Sequence, residues 1–271
     1  MASFPCSAVS FQRPKLVMSS AWIEHAPFAF WLIEHTRPRG VCELGTYHGF
    51  SYLCFCQQVQ ASALDTKCFA VDTWRGDEQN GFYSDDIFDN LRSYHDSNYS
   101  DFSKLIRATF DEAVNQFNDG SIDLLHIDGR HFYEDVKHDF ETWQRKLSSR
   151  AIVLFHDTQV RSHGFGVYRF WDTIKRDFAH FEFTHCAGLG VLGVGRDPTV
   201  AALSIFQTQN DADVVAIRNA YEMLGASISA RRPLRRNDFC PCQSGKKFKH
   251  CHGSDKSSNI RDIRFHEYNA R

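Results

Sequence analysis

VCELGTYHGFSYLCF, residues 41–55, reads as a buried strand, a glycine turn and the start of a helix. Val41 to Leu44 are an apolar run carrying one acid, Glu43, which fits a parallel strand covered on both faces. Gly45 and Gly49 bracket the turn, where glycine permits positive φ and lets a ligand approach the backbone. The helix opening at Phe50 then aims unpaired N–H groups and the positive end of its dipole at the mouth of a cleft. A dinucleotide site would read GxGxxG here and a phosphate loop GxxxxGK(S/T), and neither is present. The turn therefore suits a ligand whose adenosine and amino-acid parts matter more than a pyrophosphate.

The 271 residues, 42% of them hydrophobic with 24 phenylalanines, allow one α/β core of ordinary size and a small appendage. A formal charge of −2 argues against a generic nucleic-acid binder. No long apolar stretch suggests membrane insertion, and the N-terminus lacks a secretory pattern, so the expectation is a cytoplasmic protein. Cys6, Cys42, Cys54, Cys56, Cys68 and Cys186 are scattered and read as reduced, mostly buried thiols.

Residues 1–20 form an arm with little pattern. Helical spacing over 21–36 predicts a helix before the first strand, with Pro27 in its first turn or at a break. The second strand, Cys68 to Asp72, ends in an acid that in a doubly wound sheet reaches the same crevice and can accept from a ribose diol. Residues 73–103 are long for a connection, so a helix is expected around 85–94 and a lid over the acceptor at 74–83. A short third strand at Leu105-Ile106 and a helix over 110–117 follow.

The richest stretch is IDLLHIDGRHFYEDVKHDFETWQRKLSSRAIVLFHDT, residues 122–158. A fourth strand at 122–127 and a fifth at 151–155 flank a helix over 133–147 whose Val136, Phe140, Trp143 and Leu147 share a face. Adjacent parallel strands thus deliver Asp128 and His156-Asp157 to one rim, with His131 on the intervening loop. Asp128 and Asp157 suit Mg²⁺ or Mn²⁺, and a histidine ligand tilts the site toward Mn²⁺, Fe²⁺ or Zn²⁺. His126, inside an apolar strand, reads as a satisfied core donor, and Asp139 and Lys137 as surface or supporting groups.

VCELGTYHGFSYLCF, FAVDTW, LLHIDGRHFYEDVKHDFETW and IVLFHDT together resemble class I S-adenosylmethionine-dependent methyltransferases, in the small-molecule and sugar O-methyltransferase branch. The resemblance spans about 21–195. It implies an α/β, doubly wound, seven-stranded, mostly parallel Rossmann-like sheet whose last two strands form a hairpin, here 182–185 and 189–194. It carries cofactor contacts over to Glu43, Gly45, Gly49, Ser51 and Asp72, and Mg²⁺ binding to Asp128 and Asp157. His131 is the expected general base on its ordinary pKa near ~6.5, with His156 second and a cation-activated hydroxyl, near Asp128, as the other route.

Past a core helix at 166–178 and the hairpin, a helix is expected over 212–224 and a linker over 225–230, within a core domain of 21–209 and a helix-linker of 210–230. The segment RRPLRRNDFCPCQSGKKFKHCHG, 231–253, sets Cys240, Cys242, Cys251 and His252 in a C-x-C-x8-C-H array, a complete tetrahedral set for Zn²⁺. So small a unit, 231–255, needs its metal to fold. It resembles the zinc module at the C-terminus of the bacterial preprotein-translocase ATPase, with Gln243 where that family usually has glycine. Seven basic residues, Arg231, Arg232, Arg235, Arg236, Lys246, Lys247 and Lys249, stand against Asp238 alone, a patch that suits an acidic protein, a phosphorylated saccharide carrier or ribosomal RNA, or serves as a solubilising tail; nucleic acid is the weaker of these readings, since no aromatic stacking array accompanies the charge. Residues 256–271 read as a flexible tail. The expected activity is O-methylation of a sugar, glycan or other small-molecule hydroxyl. A zinc-tailed non-catalytic adaptor and an NAD-dependent oxidoreductase are the competing readings.

Overall fold

The computed structural model describes residues 4–79, 81–208, 210–229 and 234–254; the readings of Ala230, Arg231, Arg232 and the tail at 256–271 lie outside them. A 3-10 turn at Ile23–His25 runs into α1 (Ala26–Thr36), with Pro27 in its first turn, where its missing N–H costs nothing. β1 (Gly40–Leu44), α2 (Phe50–Ala61) and β2 (Lys67–Asp72) follow. A small hairpin, β3 (Gly76–Asp77) and β4 (Gly81–Phe82), precedes α3 (Asp86–Tyr99) and the edge strand β5 (Ser103–Arg107). Next come α4 (Phe110–Ala113), β6 (Ile122–Ile127), α5 (Tyr133–Trp143) and β7 (Leu147–His156). The core ends with α6 (Val167–Ile174), the hairpin β8 (Ala179–Phe183) and β9 (Leu189–Gly193), a short α7 (Pro198–Ala201) and the long α8 (Asp211–Ile228).

The main sheet has seven strands in the order β5-β2-β1-β6-β7-β9-β8, and only β9 runs against the rest. The chain moves outward from β1 to β2 and β5, then returns to lay β6 on the other side of β1. This reversal opens a crevice at the carboxyl ends of β1 and β6. Every residue of β1 and β6 is buried, because helices cover both faces. One face packs Trp22, Phe28, Trp31, Tyr52 and Phe55 with Tyr221 of α8; the other packs Val136, Phe140 and Trp143 with Phe170 and Trp171.

Several boundaries differ from the sequence reading. Leu147 starts β7 rather than ending α5, because the helix tightens into a 3-10 turn at Gln144–Lys146 and the chain then pairs with β6 at Ile122. α3 runs on to Tyr99, burying His95 and Tyr99 beyond the acidic first turn. The helix expected over 110–117 breaks into α4 and a 3-10 turn at Val114–Gln116, and the first hairpin strand covers Ala179–Phe183. The expected linker at 225–230 is helical through Ile228, since Gly225 lets α8 press on the backbone of Glu24. Described residues of the arm are packed: Tyr221 Oη donates to Pro5 O at 2.7 Å, and Lys15 N to Gln57 Oε1 at 2.7 Å. Among the described residues, no helix is long and apolar enough to cross a membrane.

Gly225→Ala is expected to destabilise the protein by about 1–3 kcal/mol, although alanine is the better helix former. A Cβ at this position would stand 2.3 Å from Glu24 O. Urea denaturation of the variant reads the sign directly.

Candidate active site at the switch point

At the switch point β1 and β6 come closer than any side chain would permit. Asp128 N donates to Leu44 O at 2.8 Å, and a Cβ on Gly45 (φ 84°) would lie 2.1 Å from Asp128 O. Glycine at 45 is therefore required by both its dihedral and its neighbour. Beyond it the turn is held by Asp72: one carboxylate oxygen accepts from Thr46 N (2.8 Å) and Tyr47 N (2.9 Å), the other from Trp74 N (2.7 Å). A carboxylate takes about four hydrogen bonds, so Asp72, which lines the cavity, keeps capacity for a ligand hydroxyl after shaping the turn. Trp74 is fully buried and donates from Nε1 to Tyr47 O at 2.9 Å, so it anchors the turn instead of forming part of a lid.

Glu43 sits behind the turn, fully buried, and is not among the residues lining the cavity. Burial pushes its carboxyl above the usual range against the pull of His126. His126 Nδ1 donates to Glu43 Oε2 at 2.8 Å, and its Nε2 accepts from Trp22 Nε1 at 3.2 Å. That confirms His126 as a satisfied core histidine and makes Glu43 a support for the wall. Gly45, Gly49 and Ser51 do line the cavity, which measures about 720 Å³.

The register of β6 against β7 pairs Ile127 with Phe155, which brings Asp128 level with His156. His156 Nδ1 lies 3.1 Å from Asp128 Oδ1 and 3.4 Å from Asp157 Oδ1, and His131 Nε2 lies 2.9 Å from Asp157 Oδ2. Asp157 holds a left-handed backbone (φ 62°), an uncommon conformation for a non-glycine residue, and its N–H donates to Gly188 O. Burial opposes the charge on both acids, yet the two histidines hold Asp128 well below, and Asp157 below, the usual range. Burial also works against His131, but the two carboxylates push it up to about 9, and His156 is raised by the same pair. The pair of carboxylates thus favours the doubly protonated form of both rings. The ordinary imidazole value does not apply to His131, and its selection as a ready general base on that ground is corrected.

Asp128, His131 and Asp157 each offer one ligand atom, all within 4.8 Å of one another, and two oxygens with one imidazole nitrogen suit a hard or borderline divalent cation. Thr46 Oγ1 and His156 Nε2, both on residues that line the cavity, are buried without a protein partner. Sequence reasoning missed Phe165, whose ring stacks on His131 at 4.3 Å, and Gln79, which bonds to it; neither stands in a periodic element or beside a strand end. Of the two readings of Asp139, surface or supporting, the structure shows the second: it is buried behind the 128–131 loop with Oδ2 3.4 Å from where a Gly129 Cβ would lie.

In the tail, Cys240, Cys242, Cys251 and His252 converge. Cys242 Sγ is 3.4 Å from Cys240 Sγ and 3.6 Å from Cys251 Sγ, and His252 Nδ1 is 3.3 Å from both Cys240 Sγ and Cys251 Sγ. A tetrahedron with metal–sulfur bonds of ~2.3 Å has edges of about 3.8 Å, so the set is compatible with Zn²⁺ with only slight expansion. Gln243 adopts φ 61°, the left-handed turn that glycine would supply at no cost. Phe11 of the arm stacks on His252, with ring centroids 4.2 Å apart.

A doubly wound sheet with a glycine turn and an acid-ended second strand at its switch point defines the Rossmann-like class of cofactor-binding α/β proteins. Within that class, residues 42–158 match a methyltransferase domain family and residues 236–254 match the SEC-C motif, so the chain carries a methyltransferase domain joined to a SEC-C motif. Over 194 residues it is 50% identical to the uncharacterized protein y4gI of Sinorhizobium fredii, covering 72% of this chain and 21% of that protein. It thus spans about a fifth of that relative. A 59-residue stretch is 37% identical to protein translocase subunit SecA of Brachyspira hyodysenteriae, covering 22% of this chain and 6% of SecA. The solved structure of a Staphylococcus aureus protein described as a candidate caffeoyl-CoA O-methyltransferase shares the fold (TM-score 0.50, 15% identity, 65% of this chain and 84% of that one).

Burial raises the Asp139 carboxyl to about 7. A raised acid favours the folded state fully below its unfolded value and loses that contribution as pH climbs to the folded one. Asp139→Asn should therefore stabilise the protein by on the order of 2–4 kcal/mol above about pH 8 and change little below about pH 4. Thermal melts across that range check the crossover.

Proposed function

We propose that the chain is an S-adenosylmethionine-dependent O-methyltransferase acting on a hydroxyl of a sugar, glycan or other small molecule, assisted by a divalent cation. The observation that carries this reading is the Asp128–His131–Asp157 cluster opening on the same cavity as the 45–49 turn. The cavity volume falls within the ~300–1,000 Å³ of small-molecule sites and leaves room for a donor beside a compact acceptor.

Methyl transfer is a direct displacement, with the acceptor oxygen and the departing sulfur in line through the methyl carbon, so positioning supplies much of the rate. Gly45, Gly49 and Ser51 cradle the donor through backbone and hydroxyl groups, and Asp72 takes a ribose hydroxyl with its remaining lone pair. Asp128, Asp157 and His131 Nε2 would hold the cation, which when bound would lower the pKa of the acceptor hydroxyl. Asp128, the more open of the two acids at 21% exposure against 10%, orients that hydroxyl. His156 sits behind both carboxylates and balances their charge.

In the tail, Cys240, Cys242, Cys251 and His252 hold Zn²⁺, and the basic residues around them, with Phe239 71% exposed beside them, support docking on an acidic protein. Stripping that zinc should unfold the module, read as loss of protection from proteolysis after Arg235 and Lys246.

Calorimetric titration of the metal-stripped full chain with S-adenosylmethionine and separately with NAD⁺, each with and without Mg²⁺, tests the central reading. Micromolar affinity for the methyl donor, lost in Gly45→Ala, is the expected result. NAD⁺ binding in its place, or no donor binding by a folded sample, would overturn it. Asp157→Asn should leave donor affinity intact and lower turnover of an accepted hydroxyl substrate by about 10²-fold or more.

A further inference from the structure

Gly76 and Asp77 of the β3–β4 hairpin line the cavity, and among the described residues the hairpin meets the 128–131 loop through Gln79, at His131, and through Glu78, 3.9 Å from Arg130. Gln79 Oε1 lies 3.0 Å from the backbone nitrogen of His131 and 3.0 Å from His131 Nδ1. Its Nε2 reaches His163 O at 3.4 Å, and Asp77 Oδ1 accepts from Gln79 N at 2.7 Å, fixing the tip from which the side chain projects. Close approach within the hairpin needs glycine, since a Cβ on Gly76 (φ 74°) would lie 2.0 Å from Gly81 O.

These contacts decide the tautomer of His131. A backbone N–H can only donate, so the Gln79 atom facing it must be the amide oxygen, and an oxygen can only accept. Nδ1 of His131 must then carry a hydrogen. In the neutral ring this leaves Nε2 bare, directed at Asp157 Oδ2 2.9 Å away and Asp128 Oδ1 3.7 Å away. A lone pair facing two carboxylates is unfavourable unless a proton or a cation lies between them. The other neutral tautomer would donate from Nε2 to Asp157 and close the position with an internal hydrogen bond. The face of the ring is fixed separately, by Phe165 lying parallel to it at 4.3 Å and 6°.

We infer that Gln79 is a positioning residue for His131: it holds the hydrogen on Nδ1 and so keeps Nε2 available to a divalent cation between Asp128 and Asp157. The inference rests on the assignment of those three residues as the cation site. It also gives the β3–β4 hairpin a function, because the hairpin, whose Gly76 and Asp77 line the cavity, brings the amide to the loop. Partners of this kind, which orient a ligating histidine through its other nitrogen, commonly change metal affinity by about 10–100-fold.

The test uses the full chain with Mn²⁺ as the probe, followed by its electron paramagnetic resonance signal. Gln79→Met keeps length and shape but removes the acceptor, and should weaken Mn²⁺ binding by about 10–100-fold while affinity for S-adenosylhomocysteine is unchanged. Histidine ¹⁵N spectra at alkaline pH, where the ring is neutral, should show His131 protonated on Nδ1 in the parent protein and shifted toward Nε2 in Gln79→Met. Gln79→Glu, which restores an acceptor, should return the Nδ1 signature. Should Gln79→Met not fold, Gln79→Asn, one methylene too short to reach, replaces it. Unchanged Mn²⁺ affinity in a folded variant, or an Nε2-protonated His131 in the parent, overturns the inference. A parent protein that binds no Mn²⁺ overturns the cation assignment instead, and the ¹⁵N spectra still decide whether Gln79 sets the tautomer.

Discussion

The approach of β1 to β6 at Gly45 and Asp128 is the constraint on which the site depends. With the Asp128 carbonyl 2.1 Å from where a side chain would begin, the two strands can exit the sheet side by side only if one residue has no Cβ. That proximity sets the glycine turn on one wall of the crevice and the first acid of the 128–131 loop on the other. The register of β6 on β7 then brings His156 and Asp157 alongside.

Charge balance is the second organising element. Two carboxylates and two imidazoles occupy a space where burial would penalise any one of them alone, and each is stabilised by its neighbours. Such a cluster is costly to build purely for stability, since an apolar replacement of equal volume would hold the fold as well. Its position at the carboxyl ends of adjacent strands, together with the left-handed backbone of Asp157, is the pattern of strain and buried charge that functional sites retain.

The appended module is tied to this core through the N-terminal arm. Phe11 stacks on the ligand candidate His252, while Ser19, Ser20, Ala21 and Trp22 at the other end of the arm form part of the cavity wall. One stretch of chain therefore both stacks on the tail's Cys-His cluster and lines the cavity at the switch point, although it is patternless as a sequence.

What the sequence determined by itself was whatever local pattern controls: the strand, turn and helix at 41–55, the alternation of strands and helices that forces a doubly wound sheet, and the Cys-Cys-Cys-His spacing of the tail. Asp72, Asp128, His131, His156 and Asp157 were legible because each follows a strand or lies on the loop after one, and parallel strands deliver such residues to one edge. The tertiary structure decided what depends on neighbours distant in sequence. It made Glu43 a buried support through His126, turned Trp74 into an anchor for the turn, buried Asp139, and let α8 continue past Gly225 against Glu24. It also raised His131 to about 9 and set Gln79 against it from 52 residues away. Protonation and tautomer respond to fields and partners a few ångströms away, and only the folded chain brings those partners together.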